Sequence, residues 1–209
     1  MIYITNCNHI AGSDVDTRRR AACDLVKGLS RFFEPRITTI FGSYVNTMLN
    51  MYSAKPSETW RSKDAAIYLV TSLATKAKTA KHGITQTNQL VDLTDFCRQH
   101  IIPELQKPDV NGMPVLKAAA VKYVMTFRSQ LPADLVKGCL PYIINHMKAQ
   151  SQVTHTYSAA AVDKILIMKV AGSNNVPVVT AADLKPLAES LLQGLFGAFS
   201  MEGKFKHFC

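Results

Sequence analysis

Four stretches of the chain share one pattern, an early run of alanine followed by aliphatic residues at helical spacing. They are DTRRRAACDLVKGLSRFF (Asp16–Phe33), WRSKDAAIYLVTSLATKA (Trp60–Ala77), VLKAAAVKYVMTFRSQL (Val115–Leu131) and VTHTYSAAAVDKILIMKV (Val153–Val170). Reference alanines Ala21, Ala65, Ala118 and Ala159 are 44, 53 and 41 residues apart. A recurrence of this length is the mark of a stack of helix pairs. The small residues let a neighbouring helix approach, and the later Leu, Val, Ile and Met fill the space between layers. In the first stretch Ala21, Ala22, Leu25, Val26, Leu29, Phe32 and Phe33 follow the i, i+3, i+4, i+7 rule and are expected to face a core.

Between these lie helices of another kind: Pro35–Ala54, Thr87–Gln106, Pro132–Gln150 and Ala181–Ser200. Pro103, Pro141 and Pro186 fall within them. An internal proline removes a backbone hydrogen bond and bends a helix, which an outer helix with one solvent face tolerates. The expected fold class is therefore all-α: a HEAT-type α-solenoid of antiparallel helix pairs, about four repeats in a right-handed superhelical stack. The order reads as half a repeat, three pairs, and another half. The connectors Lys78–Gln86 and Val170–Thr180 are expected to be loops, the second because of its Gly, Asn and Pro content. The last helix is apolar on several sides (Leu191, Leu192, Leu195, Phe196, Phe199). Since repeat arrays normally end in polar caps, a central slice of a longer array, or a truncated product, is expected.

Apolar residues make up 47% of the chain, enough for a sizeable core, and the formal charge is +9. The charge fits either solvated helix faces or a partner with acidic surface, a protein, nucleic acid or anionic lipid, though no nucleic-acid motif appears. Five cysteines are widely spaced without C-x-x-C, the pattern of reduced, mostly buried thiols. No apolar run reaches 18 residues, and the first ten residues lack the basic and apolar regions of a signal peptide. A soluble intracellular protein is expected.

Motifs for catalysis or nucleotide binding are missing from the sequence: neither H-E-x-x-H, G-x-S-x-G, G-x-x-x-x-G-K-[ST] nor G-x-G-x-x-G occurs. Cys97 and His100 lie three apart on one helix face, a spacing that admits a Cys–His nucleophile but is more often a core thiol beside an imidazole. His146 and His155 straddle a helix–helix turn and read as surface or capping residues rather than a metal pair. Asp92 and Asp95 suit the first turn of a helix. Two polar clusters remain, Gly12–Arg20 and Trp60–Asp64. Each is either a solvated first turn or a partner contact, with Trp60 a packing staple or a binding anchor. No enzyme, cofactor or metal is expected.

The stretches GSDVDTRRRAACDLV, KDAAIYLVTSLATKA, KHGITQTNQLVDLT, PVLKAAAVKYVMTFRSQ, INHMKAQSQVTHTY and TAADLKPLAESLL resemble the importin-alpha export receptors of the importin-beta superfamily, over roughly residues 12–200. The resemblance is to a central segment. It implies a nuclear transport receptor that binds Ran-GTP together with importin-alpha in the nucleus, releases both in the cytoplasm, and catalyses nothing itself. Its curvature would couple the two ligands. It also implies that Asp14, Asp16, Arg18, Arg19 and Arg20 end an insertion that touches Ran. On this reading residues 1–11 and 203–209 are divergent ends, and 12–202 form the solenoid segment.

Overall fold

The computed structural model describes residues 18–79, 83–170, 172 and 175–200. They are predominantly helical and divide into two compact units. One holds the residues up to Lys76 together with Asn88–Val91; the other holds Ala77–Thr87 and the residues from Asp92 onward.

The first unit is built from α1 (Arg18–Ala54) and α2 (Trp60–Ala74), which pack on each other. Two separate helices are expected over 16–33 and 35–54. Both are present as the two arms of α1, which meet at Phe33, whose backbone leaves the helical region (φ −132°, ψ 39°). Pro35 is the cause: its ring crowds the carbonyl four residues back and disfavours a helical residue before it. Val45, Leu49 and Tyr52 of α1 and Ala66, Ile67, Val70 and Leu73 of α2 are buried. The buried Asn88 closes this unit. Its backbone N–H donates to the Ala74 carbonyl, and its side chain donates to Thr38 Oγ1 at 2.8 Å and accepts from the Leu90 amide.

The loop expected at Lys78–Gln86 is instead a hairpin, β1 (Thr75–Thr79) paired with β2 (Gly83–Thr87). β-Branched residues recur along both arms (Thr75, Thr79, Ile84, Thr85, Thr87), which favours extended backbone. It also ends α2 three residues before the expected Ala77. Within the second unit β2 lies against α5 (Pro114–Phe127): Ile84 is buried, and Gln130 Nε2 donates to its carbonyl at 3.0 Å.

The segment expected to be one helix over 87–106 begins later, at α3 (Leu93–Phe96). It widens into a π-helical turn at Cys97–Ile101 and resumes as α4 (Ile102–Leu105). Pro103 accounts for the widening. Its nitrogen has no hydrogen, and a regular turn would press its ring on the Gln99 carbonyl, so the Ile102 N–H reaches five residues back to Cys97. Asp92 caps α3, accepting the Asp95 amide at 2.8 Å, as the sequence implies.

Helices α6 (Ala133–His146) and α7 (Gln152–Leu166) follow; α5 packs on α7, and α6 packs on α5, α4 and α7. Their shared core includes Leu116, Ala120, Val121, Val124, Phe127, Val136, Ile143, Ile144, Ala161 and Ile165. The alanines thus do what the pattern implies here. Beyond α7, α8 (Ala181–Leu184) passes through a 3₁₀ turn at Pro186 into α9 (Ala188–Ser200). Helix α9 meets α6 closely: a Cβ added at Gly194 would lie 2.9 Å from Met147 Cβ.

Candidate partner-binding surface

The apolar face expected to be buried on the first half of α1 is largely open. Val26 is buried and Leu29 half-buried, but Ala21 and Ala22 are exposed, and Leu25, Phe32 and Phe33 stand 63%, 81% and 57% accessible. Ile40, Tyr44 and Met51 continue the exposure beyond the kink. The pattern is sound; what differs is that no described helix covers this side. At the other end Leu192, Leu195 and Phe196 of α9 are exposed as well. Open apolar residues at helical spacing are the surface of a repeat that packs on something further.

The polar side of α1 is basic. Asp24 pairs with Arg20 (3.7 Å) and Lys27 (3.1 Å), and Glu34 pairs with Lys76 (2.6 Å). The exposed Arg18, Arg31 and Arg36 remain directed to solvent. Of the residues that the resemblance picks out, Asp14 and Asp16 lie outside the described residues, and Arg18, Arg19 and Arg20 form the first turn of α1. Successive helical residues point about 100° apart, so Arg18 and Arg20, two apart, lie on different sides of the helix. Arg18 falls on the apolar side with Leu25, and Arg20 on the polar side with Asp24. At the start of α2, Trp60 is half-buried with the Arg61 guanidinium 5.2 Å from its ring centre, while Lys63 is buried with its ammonium 4.6 Å from the Tyr52 ring. Lys63 is thus part of the packing, a role its place in a charged cluster does not announce.

The residues weighed for chemistry serve the fold. Cys97 is fully buried beside Cys139, and the hydrogen bond between them, with burial, pushes its thiol far up, away from the reactive thiolate. His100 packs against Phe96 with the rings tilted by 52° and their centres 5.0 Å apart. His146 is fully buried rather than on the surface; its Nδ1–H donates to the Tyr142 carbonyl (2.6 Å) and Nε2 has no hydrogen-bond partner. Burial, followed by the nearby Lys117 charge, depresses its basicity. His155 caps the Met147 carbonyl at 2.6 Å. Among the described residues no group of three or more His, Cys, Asp or Glu could hold a metal ion, and no helix is long and apolar enough to cross a membrane.

The geometry is that of a helical-repeat array, and comparison with known proteins agrees. The Cse1 family model matches residues 3–162. Exportin-2 of Oreochromis niloticus is 55% identical over 194 residues, and exportin-2 of Homo sapiens 53% over the same length, covering 93% of this chain in each case. The chain spans 20% of the length of these relatives. A solved structure described as the exportin Cse1 in its cargo-free, cytoplasmic state superposes with a TM-score of 0.74 at 30% identity, over 91% of this chain and 19% of that one. It shares the helical-repeat solenoid fold read from the alanine spacing. The chain belongs to the Cse1 family of exportins.

Proposed function

We propose that this chain is a segment of a nuclear export receptor that binds importin-alpha together with Ran-GTP and returns importin-alpha to the cytoplasm, moving between nucleus and cytoplasm. The observation that carries the reading is the match to exportin-2 along 93% of the chain. The open apolar faces of α1 and α9 and the basic side of α1 are consistent with a role built on protein contacts. Arg18, Arg19 and Arg20, with Asp14 and Asp16 before them, are the proposed Ran contacts.

The test is capture of importin-alpha, with and without Ran-GTP, by this chain and by the exportin that contains it. The expected result is retention of importin-alpha that Ran-GTP strengthens and that Arg18→Glu with Arg20→Glu weakens. Failure of the whole exportin to bind would overturn the assignment. Binding by the whole exportin alone would mean that the segment does not act by itself.

A further inference from the structure

Asn111 and Gly112 are the one Asn–Gly pair in the sequence, and they lie in the turn between α4 and α5. Such a pair reacts with itself. The Gly112 nitrogen attacks Cγ of the Asn111 side chain and closes a five-membered imide. The Cγ–Nδ2 bond breaks, and ammonia leaves with the proton of the Gly112 amide. Water then opens the ring at either carbonyl, giving aspartate or isoaspartate. The net exchange is one water in and one ammonia out, with no oxidant or cofactor.

Three features of the turn favour the reaction here. Asn111 is exposed, so water reaches it. Gly112 has no side chain to screen its nitrogen, and none fits, since an added Cβ would stand 2.6 Å from Asp109 Oδ2. The attack puts negative charge on Asn111 Oδ1, and the Gln150 backbone N–H already donates to that atom at 2.8 Å. The other described asparagines are less well placed. Asn46, Asn50 and Asn145 lie within helices, Asn88 is buried, and Asn175 precedes the β-branched Val176.

The same hydrogen bond shows what the change would do. It ties the α4–α5 turn to the α6–α7 turn. Just beyond it Met113 is left-handed (φ 50°), and the Pro114 carbonyl accepts from the buried Thr154 of α7 at 3.0 Å. Aspartate keeps an acceptor for the Gln150 amide. Isoaspartate routes the main chain through the former side chain, adds a carbon to the backbone and takes that acceptor away.

We propose that Asn111–Gly112 is a site of spontaneous modification, and that its isoaspartate product unties the two turns. The chain is incubated at neutral and mildly alkaline pH and then digested. Peptide mass spectrometry reads the amide-to-acid change, and methyl transfer by an isoaspartyl methyltransferase reads isoaspartate. Asn111 should convert about tenfold or more faster than Asn175, and faster as pH rises. Asn111→Gln, whose imide ring would need six members, should abolish conversion at this position with an unchanged circular dichroism spectrum. In the converted chain the Gln150 amide should exchange hydrogen about fivefold or more faster, whereas Asn111→Asp should leave it protected. Conversion at Asn111 no faster than at Asn175, aspartate without isoaspartate, or isoaspartate that leaves the Gln150 amide protected overturns the proposal.

Discussion

Lys117 reaches from α5 to the end of α4, where its ammonium donates to the Glu104 carbonyl at 2.7 Å and to the Lys107 carbonyl at 3.2 Å. The side chain is 1% exposed, and the charged Lys107–Glu104 pair (2.7 Å) lies beside it. Helix ends leave carbonyls without partners, and a buried cation is a strong way to satisfy them. Lys117→Met keeps the packed stem but strips both carbonyls of their donor. The expected loss is about 1–3 kcal/mol of stability in the second unit, measured by urea unfolding. No change would mean that the ammonium contributes nothing net.

Burial keeps His146 neutral in the folded chain, so it lowers stability on the acid side. Its folded pKa is depressed below the unfolded 6.5. Above pH 6.5 neither state takes the proton. As pH falls below 6.5 the unfolded state gains it first, and stability declines until the folded pKa is passed. Thermal melts from pH 7.5 to 5 should show this decline, and His146→Gln should flatten it. An equal slope in the variant would assign the effect elsewhere.

Tyr123 stacks between Phe96 (ring centres 5.5 Å) and Phe127 (4.8 Å), and its hydroxyl donates to the Leu93 carbonyl at 3.0 Å. Tyr123→Phe should cost about 1–2 kcal/mol through the lost hydrogen bond. Phe127→Ala should cost about 3–5 kcal/mol, because its side chain is fully buried. Chemical denaturation checks the order of the two; a costlier Tyr123→Phe would contradict the packing described.

The Cys97 thiol should be inert. In a native chain treated with a maleimide, the half-buried Cys23 should label at least about tenfold faster than Cys97. A Cys97 as reactive as free cysteine would reopen the nucleophile reading.

Much of the fold is legible in the sequence because helical periodicity and small residues act locally. The alanines of α5 and α7, the cap at Asp92 and the apolar end helix are placed as their spacing implies. Two features escape such reading. The β1–β2 hairpin hides in a polar, Lys- and Thr-rich stretch whose one buried side chain among the described residues is Ile84. The burial of His146 turns on how α6 packs against its neighbours, which spacing cannot decide. The same pattern that marks Leu25 and Phe32 as core residues does not say which chain supplies the other side of that core.

On the proposed function, this chain is part of an export receptor that couples two protein ligands. It is tested most directly by titrating importin-alpha into the exportin containing this segment, with and without saturating Ran-GTP, and then titrating in the reverse order. Linkage requires the two enhancement factors to be equal. The account predicts that each ligand tightens the other by the same factor, about 5–150-fold, and that Arg18→Glu with Arg20→Glu reduces it. Equal importin-alpha affinity with and without Ran-GTP would contradict it.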